Sequence, residues 1–289
     1  VLAISQQTDG SVRLAVRCSQ TPQVVTAETD DPLLLCDVLQ AASGKEIDAG
    51  HISLLLLNGN PADIIPDCLH AQIIMPTGAV LYCTEDACAA AKTDVDESQL
   101  RAAVDAGLLP ARTADLFVGD LQNGSGVSAL PCMENGQLTL ALCDADGICA
   151  TLTEDACRGL ALLGTRRKQF SLAAGDAATV TLDRAYFRIR AEETDGALHF
   201  AVTGTVCCTP LGSTAPNWIA DVKAKLEAML SAACTETAHA EGADLLLLHE
   251  TAVRDGISGA AECSPADWRE RLKTAAFFVD VTVRSGKIG

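Results

Sequence analysis

Thirteen cysteines and five histidines carry the widest chemical reach in this chain. A thiolate attacks carbonyls and binds zinc, and imidazole moves protons or holds a metal. Both uses depend on spacing. No C-x-x-C pair occurs. The nearest groupings are Cys83/Cys88, Cys143/Cys149/Cys157 and the adjacent Cys207/Cys208, none of which matches the paired ligands of a zinc ribbon or finger. His51, His70, His199, His239 and His249 share no spacing of the H-E-x-x-H kind. Most of the cysteines sit in apolar runs, where the thiol packs as a small hydrophobe. Buried free thiols are therefore the expected state, with one or two disulfides next and a metal site last. The odd count leaves at least one thiol unpaired within the chain.

Other constellations stop short of a site. Asp144 and Asp146 resemble a fragment of a calcium loop, but the further oxygen ligands and the distant glutamate are missing, and a hairpin turn explains them. Ser43-Gly-Lys45 lacks the rest of a phosphate loop, and Ser125 between two glycines lacks the flanks of a nucleophile elbow. Arg166-Arg167-Lys168 is the one basic cluster along the chain. It reads as a solvated loop or as a contact for anionic lipid or an acidic partner. No catalytic, cofactor-binding or metal-binding residue is nominated, and no cofactor is expected.

Composition narrows the classes. The net charge is −17, which argues against nucleic acid, whose binders carry a basic stripe. Hydrophobic residues make up 48% and aromatics 3%, so real cores are expected, built from aliphatic side chains. The 289 residues allow two or three domains. The apolar runs at 54–57 and 245–248 fall far short of the ~20 residues a bilayer needs. The opening Val1-Leu-Ala-Ile reads as the middle of a strand, so an upstream targeting segment is compatible with it.

The elements that would position these residues alternate. Residues 1–5 and 11–17 flank Thr8-Asp9-Gly10, a hairpin signal. Asp31-Pro32 opens a helix to about 42, with Leu34, Leu35, Val38 and Leu39 inward and Gly44 at its end. Residues 52–57 read as a strand covered on both faces. A helix at 61–69, a strand at 78–84 and helices at 85–91, 98–107 and 111–120 follow. The flexible-looking 122–126 suggests a division into residues 1–132 and 133–289. A hairpin at 137–150 and a helix capped by Thr153 and closed by Gly164 open the second half. Two long strands, 178–191 and 198–208, form a hairpin within 178–208, and the longest helix spans 216–240 with Ile219, Val222, Leu226, Met229, Leu230 and Ala233 on one face. Residues 244–253 read as more helix. Ser264-Pro265 starts a closing helix with Trp268 and Leu272 on one side, and Val279, Val281 and Val283 alternate in a last strand, so a helix and strand span 265–284. The fold class is α+β or mixed α/β, multi-domain, with antiparallel-rich sheets packed with helices, and the last strand is expected beside the 178–208 hairpin.

The order Asp255, Gly259, Pro265-x-x-Trp268, Val-x-Val and Gly286 resembles the C-terminal signature of the Ger(x)C spore-germination proteins, the C subunits of GerA-type nutrient germinant receptors. Thr8-Asp9-Gly10, Gly50-His51 before an apolar strand, Leu130-Pro131 and Leu152-Thr153 followed by Arg158-Gly159-Leu160 match that family in order. The resemblance implies a three-domain α/β arrangement without a catalytic centre. It implies a lipoprotein, held by a lipid anchor upstream of Val1 on the outer face of the inner spore membrane. Its partners would be A-type and B-type membrane subunits. Two other functions compete with this one: an extracytoplasmic solute-binding lipoprotein, which needs a deep polar pocket, and a thiol-dependent enzyme, which needs an activated cysteine beside a base.

Overall fold

The computed structural model describes residues 1–17, 24–31, 34–44, 52–70, 72–83, 86–92, 97–123, 125–134, 137–164, 170–174 and 178–286. They form two compact units, one of Val1–Arg101 and Arg112–Thr151, the other of Ala102–Ala111 and Leu152–Gly289.

The first unit is built on one sheet. Its strands are β1 (Leu2–Gln6), β2 (Val12–Arg17) and β3 (Val24–Thr29), then β4 (Leu54–Asn58) after helix α1 (Leu35–Ser43). Helix α2 (Pro61–His70) leads to β5 (Ala79–Cys83). Helices α3 (Ala87–Ala90), α4 (Glu97–Asp105) and α5 (Ala114–Asn123) lead to β6 (Ser128–Glu134), β7 (Gln137–Asp144) and β8 (Gly147–Thr151). The spatial order is β3-β2-β1-β4-β5-β6-β7-β8. β1, β4, β5 and β6 run parallel at the centre, with antiparallel strands on both flanks.

β4 is covered on both faces, as its unbroken apolar run requires. Leu55 and Leu57 join one core with Ile64, Ile65 and Cys68 of α2 and Phe117 of α5. Leu54 and Leu56 join the other with Ala87 and Cys88 of α3. The hairpin of β1 and β2 turns where Asp9 accepts the Ser11 N–H at 3.0 Å. β3 was not anticipated. Leu34, expected inward, is 46% exposed and stands at the N-cap of α1, which starts at Leu35 and not at 31–32. β6 continues the sheet through Cys132 and Met133, and the first unit runs on to Thr151, past the expected division between 132 and 133.

The second unit holds α6 (Glu154–Gly164), β9 (Phe170–Ala174), β10 (Ala178–Thr194), β11 (Ala197–Pro210), α7 (Trp218–Glu241), α8 (Leu248–Arg254), α9 (Pro265–Lys273) and β12 (Ala276–Ser285). Its sheet order is β12-β11-β10-β9. β12 lies parallel to β11, with Val202 opposite Val279 and Val206 opposite Val283. The last strand therefore completes the sheet of the long hairpin, as expected. Val222, Leu226, Met229 and Leu230 of α7 pack with Val206, Cys208 and Val281 beneath the sheet. Ile219, in the first turn of α7, is 39% exposed instead.

Two glycines set the helix packing. A Cβ on Gly159 of α6 would stand 2.2 Å from the Met229 carbonyl oxygen, so α6 and α7 meet backbone to backbone. Gly242 ends α7 at φ 66, in the left-handed region, and a Cβ there would stand 2.4 Å from the Arg269 carbonyl oxygen. The chain then loops through Asp244 before α8, later than the helix start expected at 244.

Candidate functional site

The residues nominated for partner or membrane contact, Arg166, Arg167 and Lys168, lie outside the described residues, as do His51 and Cys18. The other candidates resolve into structural roles. Asp144 accepts the Asp146 N–H at 3.0 Å and closes the β7–β8 turn. Among the described residues no three metal-ligating side chains converge. The eleven cysteines whose side chains the structure describes are free thiols. Burial pushes Cys68, Cys208 and Cys234 up to about 12, and it raises Cys36, Cys88 and Cys143 as well. Desolvation opposes the thiolate, the opposite of what a nucleophile needs.

The C-terminal ends of the parallel strands β1 and β4 open into a polar hollow of about 230 Å³, lined by Ser5, Gln6, Thr8, Arg13, Asn58 and Asp86 among others. Open α/β sheets take ligands at this edge. Here the polar groups largely serve one another. The Ser5 hydroxyl donates to Asp86 Oδ1 at 3.2 Å, and that oxygen accepts the Cys88 and Ala89 N–H groups as the cap of α3. Among the described residues its lining holds no histidine and no cysteine.

In the second unit Asp244 gathers three donors. Oδ1 accepts the Leu248 N–H at 2.6 Å, and Oδ2 accepts the His249 N–H at 2.8 Å and the Trp268 indole N–H at 2.9 Å. His249 meets the edge of the Trp268 ring and donates Nε2–H to the Ala260 carbonyl at 2.9 Å. His239 does the same to the Ala275 carbonyl. Asp255 accepts the Ala191 N–H at 2.9 Å and so ties the loop after α8 to β10. These histidines and acids staple α8 and α9 to the sheet. That is the work done by Asp255 and Trp268, the signature residues.

One surface was not found by reading along the chain. On β10, Arg184, Tyr186, Arg188 and Arg190 project from the face away from α7, and all are exposed. Their register partners on β11 are Cys207, Thr205, Thr203 and Ala201, and those residues pair with Arg284, Thr282, Asp280 and Phe278 of β12. Four arginines thus share one sheet face with two bare aromatics, Tyr186 at 72% and Phe278 at 68% exposed. The i, i+2 spacing on β10 was the available signal. These arginines are not contiguous in sequence, and Arg284 joins them only through the β11–β12 register.

Among the described residues no helix is long and apolar enough to cross a membrane. No family model matches the chain, and no curated protein sequence matches it. A solved structure does: the crystal structure of the GerBC protein superposes with a TM-score of 0.64, covering 99% of this chain and 97% of that chain at 12% identity. The chain therefore has a Ger(x)C-like fold from end to end.

Proposed function

We propose that this chain is a non-catalytic subunit of a spore nutrient germinant receptor, acting by assembly with membrane subunits of the A and B types. The observation that carries the reading is the GerBC fold spanning 99% of the chain. The residues of the Ger(x)C signature support it, since Asp255, Trp268 and Gly159 each occupy a position that the fold depends on. In this reading a lipid anchor upstream of Val1 holds the protein on the outer face of the inner spore membrane. One acyl chain binds a bilayer only marginally, so contacts with the membrane subunits add to the hold. Arg166, Arg167 and Lys168 are a second proposed contact with anionic lipid or partner. Charge reversal there that leaves membrane association and partner binding unchanged removes them from the account.

The test is genetic. Deleting the gene, with any paralogue, from a spore-forming host abolishes germination on at least one nutrient while a non-nutrient trigger still works. Germination intact on every nutrient tested overturns the reading. A second reading, solute binding, draws on the polar hollow at the ends of β1 and β4. Calorimetric titration of the chain with amino acids and sugars checks it, with Arg13→Ala and Asp86→Ala as controls. Heat that survives both substitutions places any binding elsewhere.

A further inference from the structure

The arginine-bearing face of the second unit's sheet is built like a docking surface. From Arg184 to Arg190 the stripe on β10 spans about 20 Å at ~3.4 Å per residue. Arg284 stands two strands away, and Tyr186 and Phe278 lie between and beside these charges. Among the described residues no carboxylate pairs with Arg184, Arg188 or Arg284, whereas Arg190 already acts on Asp255. Arginines that cost nothing to leave unpaired in water gain most when a partner supplies carboxylates in bidentate geometry.

We infer that this face, centred on Arg184, Tyr186 and Arg188, docks an acidic segment of another protein. The inference rests on the reading of the chain as an assembly subunit and names the surface and the partner's chemistry. Three observations select the occupant. First, the cations of the face are all arginine, and tyrosine and phenylalanine accompany them. Arginine and aromatics are enriched at protein interfaces, while lysine is depleted. Second, the face is mixed in sign. Asp280, held by Lys223 at 2.8 Å, and Glu192 project on the same side. A sheet of anionic headgroups repels both, while a protein can set its own cations opposite them and so fix register. Third, a second copy brings its whole net charge of −17 to the contact, whereas a short acidic segment brings only its own few carboxylates, so long-range repulsion weighs against self-association.

The test places a photoreactive p-benzoylphenylalanine at Tyr186 of the full chain in its own cells, with sequencing of whatever it captures. The expected product is a peptide rich in Asp and Glu from a different protein. Its yield falls at least tenfold in the Arg184→Glu/Arg188→Glu variant, while thermal unfolding of that exposed double variant stays unchanged. Arg184→Gln/Arg188→Gln gives a smaller loss and guards against an effect of introduced acid alone. Lipid adducts, adducts to a second copy, no adduct, or a yield indifferent to charge reversal each overturn the inference. Failure of the receptor reading looks different. A captured acidic segment from a protein that is no membrane subunit keeps the docking face and removes the receptor assignment. Co-purification with membrane subunits that ignores the reversal keeps the receptor assignment and removes the face.

Discussion

Trp268 donates its indole N–H to the Asp244 carboxylate at 2.9 Å, with the tryptophan 1% and the aspartate 8% exposed. The two come from different elements, α9 and the loop before α8. The same carboxylate also accepts the first two N–H groups of α8. One buried acid thus caps one helix and anchors the next.

Trp268→Phe tests that anchor. It removes the indole donor, leaves part of the carboxylate unsatisfied and opens a small space beside His249. The expected cost is about 2 kcal/mol, read as a lower urea midpoint with an unchanged m-value. A midpoint within error of the parent protein would mean that the bond contributes nothing net.

The same acid gives the fold a pH signature. Burial raises the Asp244 pKa, and the N–H donors from His249, Leu248 and Trp268 offset this only in part. The folded state therefore holds the proton more tightly than the unfolded chain. The stability this contributes is fully present below about pH 4 and is lost as pH rises through the raised pKa. Asp244→Asn cannot titrate there. The stability difference between parent and variant should shrink from pH 4 toward pH 7 in denaturant titrations. A difference that grows with pH contradicts the sign.

The elements legible in sequence were those whose signals are local. Asp9-Gly10 turned a hairpin, Ser264 accepts the Asp267 N–H at 3.2 Å and caps α9, and the valine alternation of β12 gave its buried side. What escaped depends on distant neighbours. β3 is an edge strand with a half-buried, broken alternation, recognisable only beside β2. Ile219 has the right period for the α7 core but stays 39% exposed, while Trp218 beside it packs against that core instead. Periodicity names a face and is silent on what meets it. For the same reason Arg184 and Arg284 could not be joined before the β10–β11–β12 register was known.

Gly159 separates packing from propensity. Gly159→Ala drives a Cβ into the Met229 carbonyl and should cost about 2–3 kcal/mol by forcing α6 from α7. Gly164, at the end of the same helix, has open space where its Cβ would stand, and Gly164→Ala should change stability by under about 1 kcal/mol. Thermal melts of the pair check both. Equal effects would remove the close crossing as the reason for glycine at 159.

The thiols test the enzyme alternative. A pKa pushed up to about 12 leaves Cys68, Cys208 and Cys234 almost wholly protonated at pH 8. Iodoacetamide labelling of the native chain, read by peptide mass spectrometry, should spare these three until denaturant is added. The partly exposed Cys36, Cys149 and Cys263 should label first. Fast native labelling of any of the three buried thiols would reopen nucleophilic chemistry.

β12 is an end strand, and Glu227 guards it. Its Oε1 accepts the Val281 N–H at 3.0 Å, and Lys223 ties the same carboxylate to Asp280, at 3.2 Å and 2.8 Å. An uncovered strand edge offers its N–H groups to other chains, and a charged side chain over it blocks that pairing. Glu227→Ala should cost about 1 kcal/mol, speed hydrogen exchange at the Val281 amide, and raise the concentration-dependent self-association seen by light scattering. Lys223→Ala keeps the Glu227 acceptor in place and should change exchange at Val281 little. If the two variants exchange alike, the ion pair and not the backbone contact protects the edge.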